Sequence, residues 1–137
     1  MYEILKAIAT EKGFPFMYAR KDFQNLFDEV EVKNKTHIFL DAVEQEEVSN
    51  DNNITEAIIY SGRFMLVYSS DIDEQDYDTR YQNYIKPILD GDLKTIKEMI
   101  RCGYEVTFNQ WKTIEVINAL DYNFDGIIVN FNIKIDL

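Results

Sequence analysis

The densest group of residues able to do chemistry is Asp121-Tyr122-Asn123-Phe124-Asp125-Gly126. Oxygen donors at alternate positions ahead of a glycine are how a calcium loop begins. They converge on a hard cation, and the glycine permits the sharp turn. Ile128 even stands where such a loop carries an apolar residue, but Asn132 occupies the place of the closing bidentate carboxylate. The segments on either side alternate like strands, whereas a calcium loop lies between helices. The stronger reading is a hairpin turn in which Asp and Asn accept backbone hydrogen bonds and Gly126 takes a positive φ. Asp121, Asn123 and Asp125 stand beside it as the candidate metal ligands.

Other reactive side chains are isolated. His37 is the only histidine, and the next acid on its strand face is Asp41. A general base needs a nucleophile or substrate beside it, and no such constellation is present. Cys102, the only cysteine, excludes an intrachain disulfide and a multi-cysteine zinc site, and its expected role is packing. No Gly-x-Ser-x-Gly, phosphate loop or Gly-x-Gly-x-x-Gly occurs. The expectation is a protein that is not an enzyme and uses no cofactor.

Charge is distributed unevenly. The net charge of −11 comes almost wholly from residues 41–78, where eleven acids face Arg63 alone. Such a surface repels nucleic acid and anionic lipid. Within it, the stretch holding Glu44, Glu46, Glu47 and Asp51 reads from charge alone as a solubilising face, and Asp71–Asp78 reads as a solvated loop leading into a helix N-terminus. The nine tyrosines and nine phenylalanines suit core and interface packing, because stacking on single-stranded nucleic acid also requires a basic groove.

The elements that position these residues follow from periodicity. Tyr2–Lys12 reads as an amphipathic helix, with Ile4, Leu5, Ile8 and Ala9 near one face and Gly13 and Pro15 as stop signals. Phe14, Phe16, Met17 and Tyr18 form an apolar cluster expected beneath the sheet, and Lys21–Asp28 a second short helix. Thr36–Val43 is a strand, Glu44–Asn53 a long solvated hairpin loop, and Ile54–Ser70 a strand with a bulge or bend at Gly62. A helix from Asp78 to Leu89 is expected to break at Asp90-Gly91-Asp92, with Asp92 capping a further helix to Arg101. Trp111–Leu120 and Gly126–Leu137 form a closing hairpin. In its second strand Ile127, Val129, Phe131, Ile133 and Ile135 share one face, opposite Ile128, Asn130, Asn132, Lys134 and Asp136.

The fold class expected is a single α+β domain over residues 1–137: a four-stranded, mainly antiparallel sheet of two hairpins with helices packed on one face. The other face is free to contact partners. Met1–Lys6 lacks the pattern of a signal peptide, and no run of apolar residues is long enough for a membrane span.

The wording Val116-Ile-Asn118-Ala-Leu-Asp121-Tyr-Asn123-Phe-Asp125-Gly126-Ile-Ile-Val129-Asn-Phe131-Asn-Ile133 resembles the closing hairpin of tailed-bacteriophage neck and tail-completion (tail-terminator-like) proteins. The likeness extends over the chain in element order and over residues 111–135 in sequence. It implies a virion structural protein, made in the bacterial cytoplasm, that forms a ring with copies of itself and contacts neighbouring virion proteins. DNA would pass through without specific binding, eased by carboxylates on Glu44–Asn53. The alternative is an acidic protein-binding module, or a DNA-mimic inhibitor of a nucleic-acid enzyme.

Overall fold

The computed structural model describes residues 1–18, 35–69, 76–119 and 124–137. In chain order they form α1 (Tyr2–Lys12), β1 (Phe16–Tyr18), β2 (Thr36–Leu40), β3 (Glu44–Ser49), β4 (Thr55–Ser69), α2 (residues 77–103), β5 (Val106–Ala119) and β6 (Phe124–Asp136). The expected helix at Lys21–Asp28 lies outside the described residues.

The expected four-stranded antiparallel sheet is overturned. The sheet is mixed and six-stranded, in the order β1-β2-β4-β6-β5, with β3 also paired to β4. β1 runs parallel to β2, and every other pairing is antiparallel. Two of the strands are additions to the expected set. Phe16, Met17 and Tyr18 do not lie beneath the sheet but form its edge strand β1, beside which the Ile38 N–H donates to Pro15 O at 2.9 Å. Glu44–Ser49 is the strand β3 rather than loop, and only residues 50–54 turn the chain. There Asn50 Oδ1 accepts from the N–H groups of Asn52 and Ile54, and Asn53 takes the left-handed conformation at φ 59°.

β2 and β3 share one edge of β4. Leu40 stands opposite Phe64 and Glu44 opposite Ser61, so residues 41–43 face only residues 62 and 63. The extra residue is a bulge in the edge strand. Gly62 itself pairs regularly with Phe131, and a Cβ there would lie 3.3 Å from both Ala42 O and the Phe131 ring. The expected bulge therefore lies across from Gly62.

Helix α1 ends as expected. Gly13 adopts φ 71°, and the Gly13 and Phe14 N–H groups return to Thr10 O and Ala9 O, closing a Schellman motif. Helix α2 departs from expectation, because it runs without a break through Asp90-Gly91-Asp92. Its buried stripe is Arg80, Ile85, Ile88, Leu93, Ile96 and Ile100. A five-residue step carries a side chain about 140° around an α-helix. The two such steps, Arg80 to Ile85 and Ile88 to Leu93, coincide with two π-helical stretches, Tyr81–Ile85 and Ile88–Asp92. The wider turns keep the stripe facing the sheet. They also flank Pro87, whose ring would crowd the carbonyl four residues earlier in a regular helix.

The main core lies between the helices and one face of the sheet. Leu5, Ile8, Ile85 and Ile96 pack against Ile38, Leu40, Phe64, Leu66 and the inward face of β6. On that strand Ile127, Val129, Phe131, Ile133 and Ile135 are all buried, as their alternation predicts. Each contributes about 1.5–3 kcal/mol of burial. A smaller cluster, Phe39, Met65, Val67 and Phe124, occupies one end of the opposite face.

Candidate interaction surfaces

Strand β3 presents the acidic residues. Glu44, Glu46 and Glu47 are exposed on it, and Asp51 is exposed in the following turn. Because side chains alternate along a strand, these acids do not form one patch. Glu44 and Glu46, opposite Ser61 and Ile59, lie on the face away from the helices; Glu47, opposite Ile58, lies on the helix side. The ladder to β4, and not side-chain burial, holds this segment as a strand. Just before it, Asp41 accepts from Arg63 Nε at 3.0 Å, so the one base of the acidic block is engaged at the bulge.

Strand β5 forms the opposite edge of the sheet, and among the described residues it pairs only with β6. Trp111 and Phe108 turn toward α2, where Lys97 Nζ sits 5.6 and 5.0 Å from their ring centroids. Ile114 and Ile117 stay 44% and 37% exposed, and Ile114 stands opposite the half-buried Ile128. Bulges near Asn109 and after Val116 twist this edge.

The calcium candidates separate. Asp121 and Asn123 lie outside the described residues. Asp125 belongs to β6 and is fully buried, and Arg80 Nη1 donates to its two oxygens at 3.3 and 3.1 Å. This pair ties the first turn of α2 to the sheet, next to the stacked rings of Tyr68 and Tyr84. Arg80 was not singled out from the sequence; the signal available was its place at the head of the apolar stripe. Gly126 does not take the expected positive φ. It is required by close packing instead, since a Cβ would fall 2.2 Å from Leu66 O and 2.7 Å from Val67 Cα.

His37 is buried between Phe39 and Phe124, at ring separations of 5.7 and 5.1 Å. Its Nδ1 meets Lys35 O at 2.8 Å, and its buried Nε2 has no hydrogen-bond partner among the described residues. Burial holds its pKa below the ordinary 6.5, outweighing the Lys35 carbonyl. This is a packing position. Cys102, expected in packing, is exposed on α2.

Asp76, from the acidic run, caps α2 by accepting from the Asp78 N–H and the Thr79 hydroxyl at 3.2 and 2.7 Å. Asp92 is no cap. It lies inside the helix, accepts from the Thr36 hydroxyl at 3.3 Å, and has its pKa raised from the ordinary value chiefly by burial.

Among the described residues no three His, Cys, Asp or Glu side chains gather as they would around a metal, and no helix is long and apolar enough to cross a membrane. No protein-family model matches the chain, and no curated protein sequence matches it.

Proposed function

We propose that this chain is a non-enzymatic structural protein of a tailed-phage virion, placed in the neck or tail-completion region and joined to copies of itself in a ring around the DNA path. The observation that carries the reading is the inequality of the two sheet edges. β5 offers an apolar contact through the exposed Ile114 and Ile117, whereas β3 carries Glu44, Glu46 and Glu47. A contact through β5 to a different patch on the next copy is heterologous, and a heterologous contact closes into a ring where the rotation between copies closes. Glu44 and Glu46, on the face away from the helices, then stay free to face the channel, where they repel phosphates and let the genome slide.

Light scattering across a concentration series tests this. The expected result is a closed oligomer of roughly six or more subunits. Ile114→Lys should dissociate it, whereas Gln at Glu44, Glu46 and Glu47 with Asn at Asp51 should leave it assembled. A monomer at every concentration, or an oligomer indifferent to Ile114→Lys, overturns the reading. The exposure of all three glutamates on one edge strand also favours a second reading, an acidic module or DNA mimic that binds a basic partner. A monomer that binds such a partner, and loses it on neutralisation of the acids, would select that one.

A further inference from the structure

Among the described residues, half of the exposed large apolar and aromatic ones gather at one cleft. Tyr2, Tyr18, Tyr104 and Leu137 are 36%, 53%, 46% and 73% exposed, and all four line an opening of about 580 Å³. Tyr60 forms part of its wall, and Gln45 of β3 stands at its margin. Clustered exposed tyrosines are characteristic of interaction sites, since each ring gives a large rigid surface and a hydroxyl for little conformational entropy.

Three observations define the occupant. The ionisable side chains lining the cleft, besides its tyrosines, are Glu3 and Asp136, both acidic, and the Met1 ammonium beside them interacts with Glu3. Asp136 shares its charge with Lys134 at 3.0 Å; Glu3 makes no ion pair among the described residues. Second, one of these rings already receives a cation, since Lys6 Nζ lies 5.4 Å from the Tyr2 ring centroid. Third, β3 adjoins the cleft and is paired with β4 alone among the described residues, so its outer backbone edge is open and its side chains are acidic.

We propose that this cleft, together with the open edge of β3, binds an extended segment of a partner protein that carries an arginine. The segment adds to β3 by backbone hydrogen bonds. Its guanidinium enters among the tyrosines, stacks on a ring face and forks onto Glu3 or Asp136. Arginine suits this better than lysine because its cation is planar and weakly hydrated. The proposal does not rest on the ring reading.

The test uses the full chain labelled with ¹⁵N and three capped peptides, alike except for arginine, lysine or citrulline at two central positions. The arginine peptide should shift the amide signals of Tyr2, Tyr18, Tyr60 and Tyr104 together with those of β3. Lysine should bind more weakly, and uncharged citrulline weaker still, by about fivefold or more. Tyr18→Ala and Tyr104→Ala, both at exposed positions, should each weaken the arginine peptide several-fold while leaving the urea midpoint within the range of other surface substitutions. Shifts along β3 that leave the tyrosines unmoved would mean general attraction to an acidic surface, and would overturn the proposal. Equal binding of arginine and citrulline, or no binding by any peptide, would overturn it as well.

Discussion

Strands β3 and β6 both pair with β4, and they form for opposite reasons. β6 is central in the sheet, and every second side chain from Ile127 to Ile135 enters the core. β3 lies at an edge, and most of its side chains remain in solvent. In β6 apolar burial sets the register, because a slip of one residue would move Phe131 and its companions to the wet face. In β3 the register comes from the turn at residues 50–54 and from the ladder, so its side chains are free to serve a surface role. Packing constrains what β6 can be, whereas charge and exposure leave β3 available for contact.

Substitutions can break this contrast in graded steps. The largest effects should come from the buried side. Phe131→Ala should lose about 3–5 kcal/mol in urea unfolding, because neighbours such as Phe64 cannot collapse into the space. Arg80→Met should cost a similar ~3–5 kcal/mol by depriving the buried Asp125 carboxylate of its cation. Adding Asp125→Leu should recover most of that loss, since an apolar pair of similar volume asks for no desolvation of charge. If the double variant is no better than the single one, the pair does more than tie α2 to β6.

Gly126→Ala should cost about 1–3 kcal/mol or more, because the new methyl meets backbone that must move. A positive-φ requirement is not involved, so Gly126→Ala should shift the β4–β6 amide signals rather than those of a turn alone.

A smaller effect should appear as a pH dependence at His37. Its folded pKa lies below 6.5, so the unfolded chain binds the proton more readily. Stability from the neutral ring is complete above the unfolded pKa of about 6.5 and is lost as pH falls below it. His37→Phe should therefore flatten the decline of the urea midpoint between roughly pH 7 and 5, relative to the native chain. A parallel decline in the two proteins would assign it to carboxylates instead. The smallest effect belongs to β3: Gln at Glu44, Glu46 and Glu47 should change stability by no more than about 0.5 kcal/mol per site. A large loss there would show that the acids support the strand and are not free for contact.

The alternation of β6, the Gly13 stop of α1 and the continuous run of apolar residues in β4 were legible because each is a local pattern whose period matches the element. Others were hidden by the same logic. Glu-Gln-Glu-Glu has low strand propensity and no buried face, so β3 looked like loop; it is a strand because β4 extends far enough to template it. Asp90-Gly91-Asp92 looked like an interruption, since only the sheet beneath α2 rewards π turns that restore the apolar stripe. The acidic character of Glu44, Glu46 and Glu47 was readable, but not their division between two faces, which pairing alone decides.

By itself the sequence determined which residues of α1 and β6 enter the core and where charge accumulates, because hydrophobic period and composition act over a few neighbouring positions. Only the tertiary structure decided that Asp125 would be held by Arg80, forty-five residues away. The same holds for Gly126 against β4, and for the gathering of Tyr2, Tyr18, Tyr60 and Tyr104 from distant segments around one cleft. These are long-range contacts, made by strand pairing and helix placement, and no local pattern encodes them.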